Sequence, residues 1–374
     1  MLRYLTSGES HGRCMLAILD GMPAGLQIDK SDIDRELSRR MQGYGRGKRM
    51  SIESDKVKIL SGVRKSVTIG SPIAMMIENV DQSIERLGVV LHPRPGHADL
   101  AGVLKYGLKD VRSVLERASA RETVARVSVG AVCKALLAGF GIKVTSHVVI
   151  IGGVEAETES LPFNRIVKIC EKSPVRCADI KASGAMCAEI DRARKNGDTI
   201  GGVFEIVIKG VPPGLGSYTQ WDRRMDGVLA KAVMSIQAVK GVSFGIGFEA
   251  ANRMGSAVHD EILHDRRRGF SRKTNKAGGI EGGVTNGEDI RIRAVMKPIA
   301  TLKRPLASIN IRSKKGVYAT VERSDVCAVP AAGVVGEAVS AVEIANALIE
   351  KFGGDSIGEM KRNFEGYLEQ VRRF

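Results

Sequence analysis

The side chains that could carry chemistry in this sequence gather in short, polar, glycine-rich segments. The first is Ser7-Gly8-Glu9-Ser10-His11-Gly12. Its glycines let the backbone approach a ligand closely, and the His11 imidazole can donate a proton near neutral pH. Read alone, the segment also fits a polar turn with a surface histidine. The second runs from Arg39-Arg40 through Gly43-Tyr44-Gly45-Arg46-Gly47 to Lys48-Arg49 and holds five cations. Arginine forks match phosphate and carboxylate oxygens in pairs. Arginine, glycine and a tyrosine can equally track a nucleic-acid backbone. The segment alone does not separate these readings from a solvated charge run.

A third segment, Pro93-Arg94-Pro95-Gly96-His97-Ala98-Asp99, is stiffened by two prolines. It would fix an imidazole in place, with Asp99 close enough to orient it. The fourth, Glu116-Arg117-Ala118-Ser119-Ala120-Arg121-Glu122-Thr123, opens an apolar helix. Free N–H groups there, with Arg117, Ser119 and Arg121, would make an anion cradle; Ser119 could also cap the helix by accepting from the Glu122 amide. The fifth is Ala277-Gly278-Gly279-Ile280-Glu281-Gly282-Gly283. It precedes a strand rather than joining a strand to a helix, so it is not a dinucleotide fingerprint, and no phosphate loop of the GxxxxGK[ST] kind occurs. Further cations follow in Lys297-Pro298-Ile299-Ala300-Thr301-Leu302-Lys303-Arg304. Arg323, Ser324 and Asp325 stand ahead of Cys327.

The elements that must position these segments alternate between strand and helix. Strands are expected at Val57–Ile59, Ile73–Ile77, Ile142–Ile151, Val203–Lys209 and Ile290–Met296, from period-two alternation or short apolar runs. Helices are expected at Ser31–Met41 with Ser31 as cap, Glu122–Phe140, Phe163–Glu171, Ala185–Lys195, Met225–Ile236 and Val334–Phe352. The helices at Glu122–Phe140 and Val334–Phe352 have almost no polar face, which places them between sheets. With no Ser/Pro-rich linker and no repeat, the expectation is one large α/β (α+β) unit over residues 1–374.

The composition bounds the function. The 374 residues are 43% apolar and only 4% aromatic, so the core is aliphatic. No run of about 18 consecutive apolar residues occurs and the N-terminus lacks a signal-peptide core, so we expect a cytoplasmic protein without a membrane partner. The six cysteines fit neither a zinc ribbon nor a disulfide scaffold. The net charge of +15 calls for an anionic partner: nucleic acid, acidic lipid or phosphorylated small molecules.

Eight of these stretches, in order, resemble the chorismate synthase family along nearly the whole chain. They are GESHG at 8–12, RR…GYGRG at 39–47, PRPGHAD at 93–99 and RASARET at 117–123. AVKG at 238–241, GGIEGG at 278–283, KPIATL at 297–302 and RSDVCAVPA at 323–331 complete the set. The resemblance implies a β-α-β sandwich with helices packed between antiparallel sheets, usually assembled as a homotetramer. It implies conversion of 5-enolpyruvylshikimate 3-phosphate to chorismate and phosphate, with reduced FMN required but no net redox change. NADPH is the reductant in some members.

By the same resemblance, His11 protonates the leaving phosphate and His97 the reduced flavin. Asp325, Ser10 and Ser119 form a relay to the flavin. FMN contacts fall at Arg117, Ala118, Ser119, Gln237, Ala238, Gly282, Lys297, Pro298, Ile299, Ala300, Thr301 and Arg323. Substrate or NADP contacts fall at Arg40, Arg46, Arg49, Arg112, Arg121 and Lys303. Substrate and reduced cofactor together bring roughly seven negative charges, which a cationic lining must offset. Two positions depart from the family pattern. Gln237 stands where Asn or Pro is common, and Leu108 replaces a frequent histidine. The rival readings are a basic nucleic-acid-binding protein and an FMN oxidoreductase. The single tryptophan argues against base stacking.

Overall fold

The computed structural model describes residues 1–47, 55–266 and 269–374. The chain opens with the hairpin β1 (Arg3–Ser7) and β2 (Cys14–Asp20), then α1 (Lys30–Met41) and β3 (Val57–Ile59). A small hairpin, β4 (Val63–Arg64) and β5 (Val67–Thr68), leads to β6 (Ile73–Glu78). Three helices follow: α2 (Asp99–Tyr106), α3 (Arg112–Ala118) and α4 (Thr123–Ala138). Next come β7 (Lys143–Ile151), β8 (Val154–Glu155), α5 (Phe163–Cys170), α6 (Ile180–Lys195), β9 (Gly202–Lys209), α7 (Met225–Met234) and β10 (Val239–Phe244). An arm holds α8 (Gly255–Val258) with the hairpin β11 (Ile262–Asp265) and β12 (Gly269–Arg272). The hairpin β13 (Ile280–Glu281) and β14 (Val284–Thr285) precedes β15 (Ile290–Met296). A last hairpin, β16 (Ala307–Ile309) and β17 (Gly316–Tyr318), is followed by α9 (Val329–Phe352) and α10 (Ile357–Arg373).

Two antiparallel sheets face each other across helices, as the resemblance implied. The first has the order β1-β2-β6-β3 and the second β10-β15-β9-β7-β8. In the first, Met15, Ala17 and Leu19 of β2 and Ile73, Met75 and Ile77 of β6 point inward and are buried. That is the period-two pattern of a sheet with one dry face. In the second, β9 is buried on both faces. Phe204 and Ile206 meet the main core, while Val207 packs outward against Phe163, Ile166 and Cys170 of α5.

Helix α4 lies on the first sheet, α9 lies on the second, and the two helices pack on each other. Close approach depends on Gly130, where a Cβ atom would stand 2.4 Å from the Cβ of Ala338. One apolar cluster runs from Met15 and Ile73 through Val127 and Ala338 to Phe204. Helix α9 is long and apolar enough to cross a membrane by composition, but 83% of its apolar window is buried between the sheets. Covered on all sides, α4 and α9 have no need of a polar face.

The layer also buries charge. Glu337 of α9, fully enclosed, receives Arg39 of α1 at 2.7 Å, Arg176 at 3.3 Å and the Ser146 hydroxyl at 2.6 Å. Burial alone would raise its pKa, but Arg39, Lys134 and Arg176 hold the carboxyl well below its ordinary range. This anchor fixes the end of α1, from which Arg40 projects the other way.

Several boundaries differ from expectation. Helix α1 is capped by Asp29, whose carboxylate accepts from the Ser31 amide at 2.8 Å; Ser31 already lies inside the helix. Helix α6 begins at Ile180 because Asp179 caps it, and α9 begins at Val329 with Pro330 in its first turn. The glycine-rich segment at 277–283 forms the β13–β14 hairpin, turned at Gly282-Gly283, rather than a plain loop.

Candidate active site

The turn between β1 and β2 lies over α3. Gly8 adopts φ +107, and a Cβ there would stand 2.2 Å from the Cys14 carbonyl oxygen, so only glycine permits this turn. The Ser10 amide donates to the Glu116 carbonyl at 3.1 Å. The Glu116 side chain is buried and meets His11 twice: it accepts from the backbone amide at 2.9 Å and lies 2.9 Å from ring Nδ1. Burial alone would raise the Glu116 pKa, but its bonds to His11 pull it below the usual value. Arg112 stands behind Glu116 at 3.6 Å and reaches Glu322 at 3.1 Å. The Ser119 hydroxyl donates to the Ser10 hydroxyl at 3.2 Å and accepts from the Arg121 amide, not from the Glu122 amide. Arg117 reaches back to the Gly8 and Thr6 carbonyls, each at 3.0 Å.

Beneath this turn, Arg40 and Arg121 are both buried and both point at Asp55. Arg40 also donates to Thr123 Oγ1 at 2.8 Å, and Arg121 to Asn79 Oδ1 at 2.8 Å. Burial pulls the Arg40 pKa down to about 10; Asp55 opposes this, and the neighbouring Arg46 and Arg121 reinforce it. Arg46 pairs with Asp325 at 2.7 Å, whose other oxygen accepts from the Gly47 amide at 2.6 Å. Arg49 lies outside the described residues.

The second histidine repeats the arrangement of the first. His97 Nδ1 lies 2.5 Å from Asp99 Oδ1, and buried Arg94 holds the other Asp99 oxygen at 2.8 Å. Burial opposes ionisation of Asp99, but the bonds from His97 and Arg94 win and hold it well below the carboxylate range. Arg94 also donates to Thr301 Oγ1 at 2.7 Å, tying this loop to the segment after β15. There the Lys297 amide donates to the Ala238 carbonyl at 2.9 Å, and the Ser324 hydroxyl to the Thr301 carbonyl at 2.9 Å. Lys297 is half-buried, and its pKa is lowered by burial and by nearby Lys240. Among the described residues no carboxylate pairs with it.

The fold therefore assembles two groups. Ser10, His11, Arg40, Arg112, Arg117, Ala118, Ser119 and Arg121 surround the β1–β2 turn. His97, Ala238, Lys297 and Thr301 surround the proline-rich loop. Gln237 links them through a 3.2 Å bond to Glu122, which also receives the Thr6 hydroxyl. The Glu322–Asp325 segment touches both groups, through Arg112 and Arg46 on one side and Thr301 on the other. Pro298 is exposed, and the Ile299 carbonyl is turned to Thr199 Oγ1 at 2.7 Å. Ala300 lies beside Gly96. Arg323 and Lys303 are exposed.

Gly282 lies in the β13–β14 hairpin. Its hairpin packs at the start of α7, where the Met225 amide donates to the Gly283 carbonyl, whereas Gln237 follows the end of that helix, about 15 Å away along its axis. A cavity of about 400 Å³, lined by Phe244, Ile246, Val258 and His259, lies beyond the far end of β10 and is separate from both histidines. All six cysteines are free thiols, and no metal-binding cluster of His, Cys, Asp or Glu occurs among the described residues.

Comparison with known proteins defines the class first. The chorismate synthase family model matches residues 2–349. Chorismate synthase of Geobacter sulfurreducens is 56% identical, with both chains covered completely. That of Desulforudis audaxviator is 55% identical over all of this chain and 98% of its own. A crystal structure of a chorismate synthase superposes with a TM-score of 0.83 at 44% identity, covering 100% of this chain and 99% of the other. These are carbon–oxygen lyases acting on phosphates, enzymes of aromatic amino-acid biosynthesis. The chain belongs to the chorismate synthase family. The nucleic-acid-binding and net-redox readings have no support from these relationships.

Proposed function

We propose that the two histidine groups form one active site that binds 5-enolpyruvylshikimate 3-phosphate together with reduced FMN and eliminates phosphate to give chorismate. The observation that carries this reading is Lys297: a half-buried cation without a carboxylate partner among the described residues, beside a carboxylate-backed histidine. Such a lysine fits an anionic cofactor, and the buried Gln237 Oε1, without a partner among the described residues, offers an acceptor next to Ala238. Arg117, Ala118, Ser119, Gln237, Ala238, Gly282, the 297–301 loop and Arg323 would hold the flavin. When bound, reduced flavin supplies electron density that eases C–O cleavage and recovers it afterwards.

The chain's own residues supply position and protons. His11 would hold a proton at Nε2 for the departing phosphate oxygen. His97 would hold one facing the cofactor. The Ser10–Ser119 hydroxyl pair, with Asp325 beyond it, would guide the proton taken from substrate. Arg40, Arg46, Arg112 and Arg121, with Arg49 and Lys303, supply the positive field for phosphate and carboxylates. Of these, Arg40, Arg46, Arg112 and Arg121 face inward on carboxylates, which suits small anions better than a nucleic-acid backbone.

We further read the chain as one domain working as a cytoplasmic homotetramer without nucleic-acid or membrane partners, with NADPH as a candidate reductant. The test is anaerobic turnover with purified protein. Chemically reduced FMN should support stoichiometric release of chorismate and phosphate; no release would overturn the proposal. Turnover with oxidised FMN plus NADPH would assign an intrinsic reductase, and its failure would place the reductant elsewhere.

A further inference from the structure

We infer that Glu116 is the positioning residue of His11, fixing both its ring orientation and the nitrogen that exchanges protons. The inference rests on the role proposed for His11. One carboxylate engages the backbone amide and ring Nδ1 of the same residue, at 2.9 Å each. Two anchors on one buried group leave the ring little freedom to turn about χ1 and χ2. A carboxylate at Nδ1 accepts a proton there, so the neutral ring carries its hydrogen on Nδ1 and Nε2 is the atom that gains and loses a proton.

Glu116 can serve this purpose because its surroundings keep it ionised. Arg112, one helical turn earlier, lies 3.6 Å away and is itself shared with Glu322. The carboxylate is 1% exposed and held below its ordinary pKa despite burial. Among the described residues, the charged groups on the elements packed around His11 include Arg112, Glu116 and Arg117 on α3 and Glu322 ahead of α9. Asp81 and Glu85 flank Ile84, whose amide donates to the His11 carbonyl at 3.1 Å. The same plan recurs at His97, where Asp99 backs Nδ1 and Arg94 backs Asp99. The two anchors are unrelated in sequence: Asp99 lies two residues after its histidine and Glu116 lies 105 positions away.

The test is Glu116→Gln, read by the ¹⁵N NMR shifts of the His11 ring in the full-length protein and by turnover. In the unsubstituted protein the neutral ring should be protonated at Nδ1; in the variant, whose amide can turn either its oxygen or its nitrogen to the ring, that preference should weaken. With the ring no longer fixed, kcat should fall about 10- to 100-fold. Glu322→Gln, which changes charge beyond Arg112, should leave the His11 tautomer in place. A tautomer and kcat unchanged in folded Glu116→Gln overturn the inference. Should that variant not fold, the ¹⁵N shifts of His11 in the unsubstituted protein decide it: Nδ1-protonated neutral imidazole supports the inference and Nε2-protonated imidazole overturns it. His11→Ala separates the two claims. Unimpaired turnover there would refute the catalytic role of His11, while the tautomer in the unsubstituted protein would still report its coupling to Glu116.

Discussion

Arg40 and Arg121 share one buried carboxylate: Asp55 Oδ2 lies 3.4 Å from Arg40 and Oδ1 lies 2.6 Å from Arg121. Two buried guanidiniums thus share one acid directly beneath the turn that carries His11. Removing Asp55 takes that shared carboxylate from both. Asp55→Asn should therefore cost about 3–5 kcal/mol of stability, the usual penalty for unpairing a buried charge. Denaturant unfolding measures it; a loss under about 1 kcal/mol would mean that water already reaches the pair.

Lys297→Met should weaken reduced-flavin binding about 10- to 100-fold while leaving the fold intact, since a charge-assisted contact contributes about 1.5–3 kcal/mol. Flavin titration under anaerobic conditions reads the effect. The loss should shrink at high salt, because the missing term is electrostatic. An unchanged affinity would remove Lys297 from the cofactor site.

Stability should fall with acid in a defined window. Glu205, Asp99 and Glu116 all have folded-state pKa values below their unfolded ones. For Glu205, burial opposes ionisation, but His147, Arg291 and Arg293 bring it to about 2 from 4.5. A depressed carboxylate contributes stability that is complete above the unfolded pKa and is lost as pH drops through the folded one. Unfolding free energy should thus be level near neutrality with respect to these groups and decline from pH about 4.5 toward 2. Urea melts at several pH values test this. Glu205→Gln should flatten part of the decline, and an identical slope in that variant would show that the acid is not linked.

Gly130→Val should destabilise the protein by about 1–3 kcal/mol without moving either histidine, because its first added carbon meets Ala338 of α9. Thermal unfolding and turnover of the surviving folded fraction separate the two effects. A drop in turnover per folded molecule would show that helix spacing is transmitted to the site.

Much of the scaffold was legible locally. The alternation at Val57–Ile59 and Ile290–Met296, and the apolar helices α4 and α9, carry their burial in their own residue pattern. Caps were harder: Asp29 and Ser31 are both capping types, and only backbone geometry chooses between them. The short helix α3 ends at Ala118 and hands over to a tight turn at Ala120–Glu122, a break that continuous helical propensity through Arg117–Thr123 conceals. Within the site, Asp99 could be matched to His97 because two residues separate them. Glu116 was visible in its segment but had no partner there, and Asp55 precedes an ordinary strand. What joins them to His11, Arg40 and Arg121 is tertiary contact, which no local spacing encodes.

Helix α9 covers the second sheet and packs on α4, yet every strand of both sheets is encoded before it. During synthesis the first sheet can close early, because α1 and α4 are encoded among or soon after its strands and pack on one another. The inner face of β7 and β9, by contrast, stays open until the ribosome has released roughly the last tenth of the chain, and α4 waits as long for its partner across the layer. Joining the two halves is thus left to one late helix.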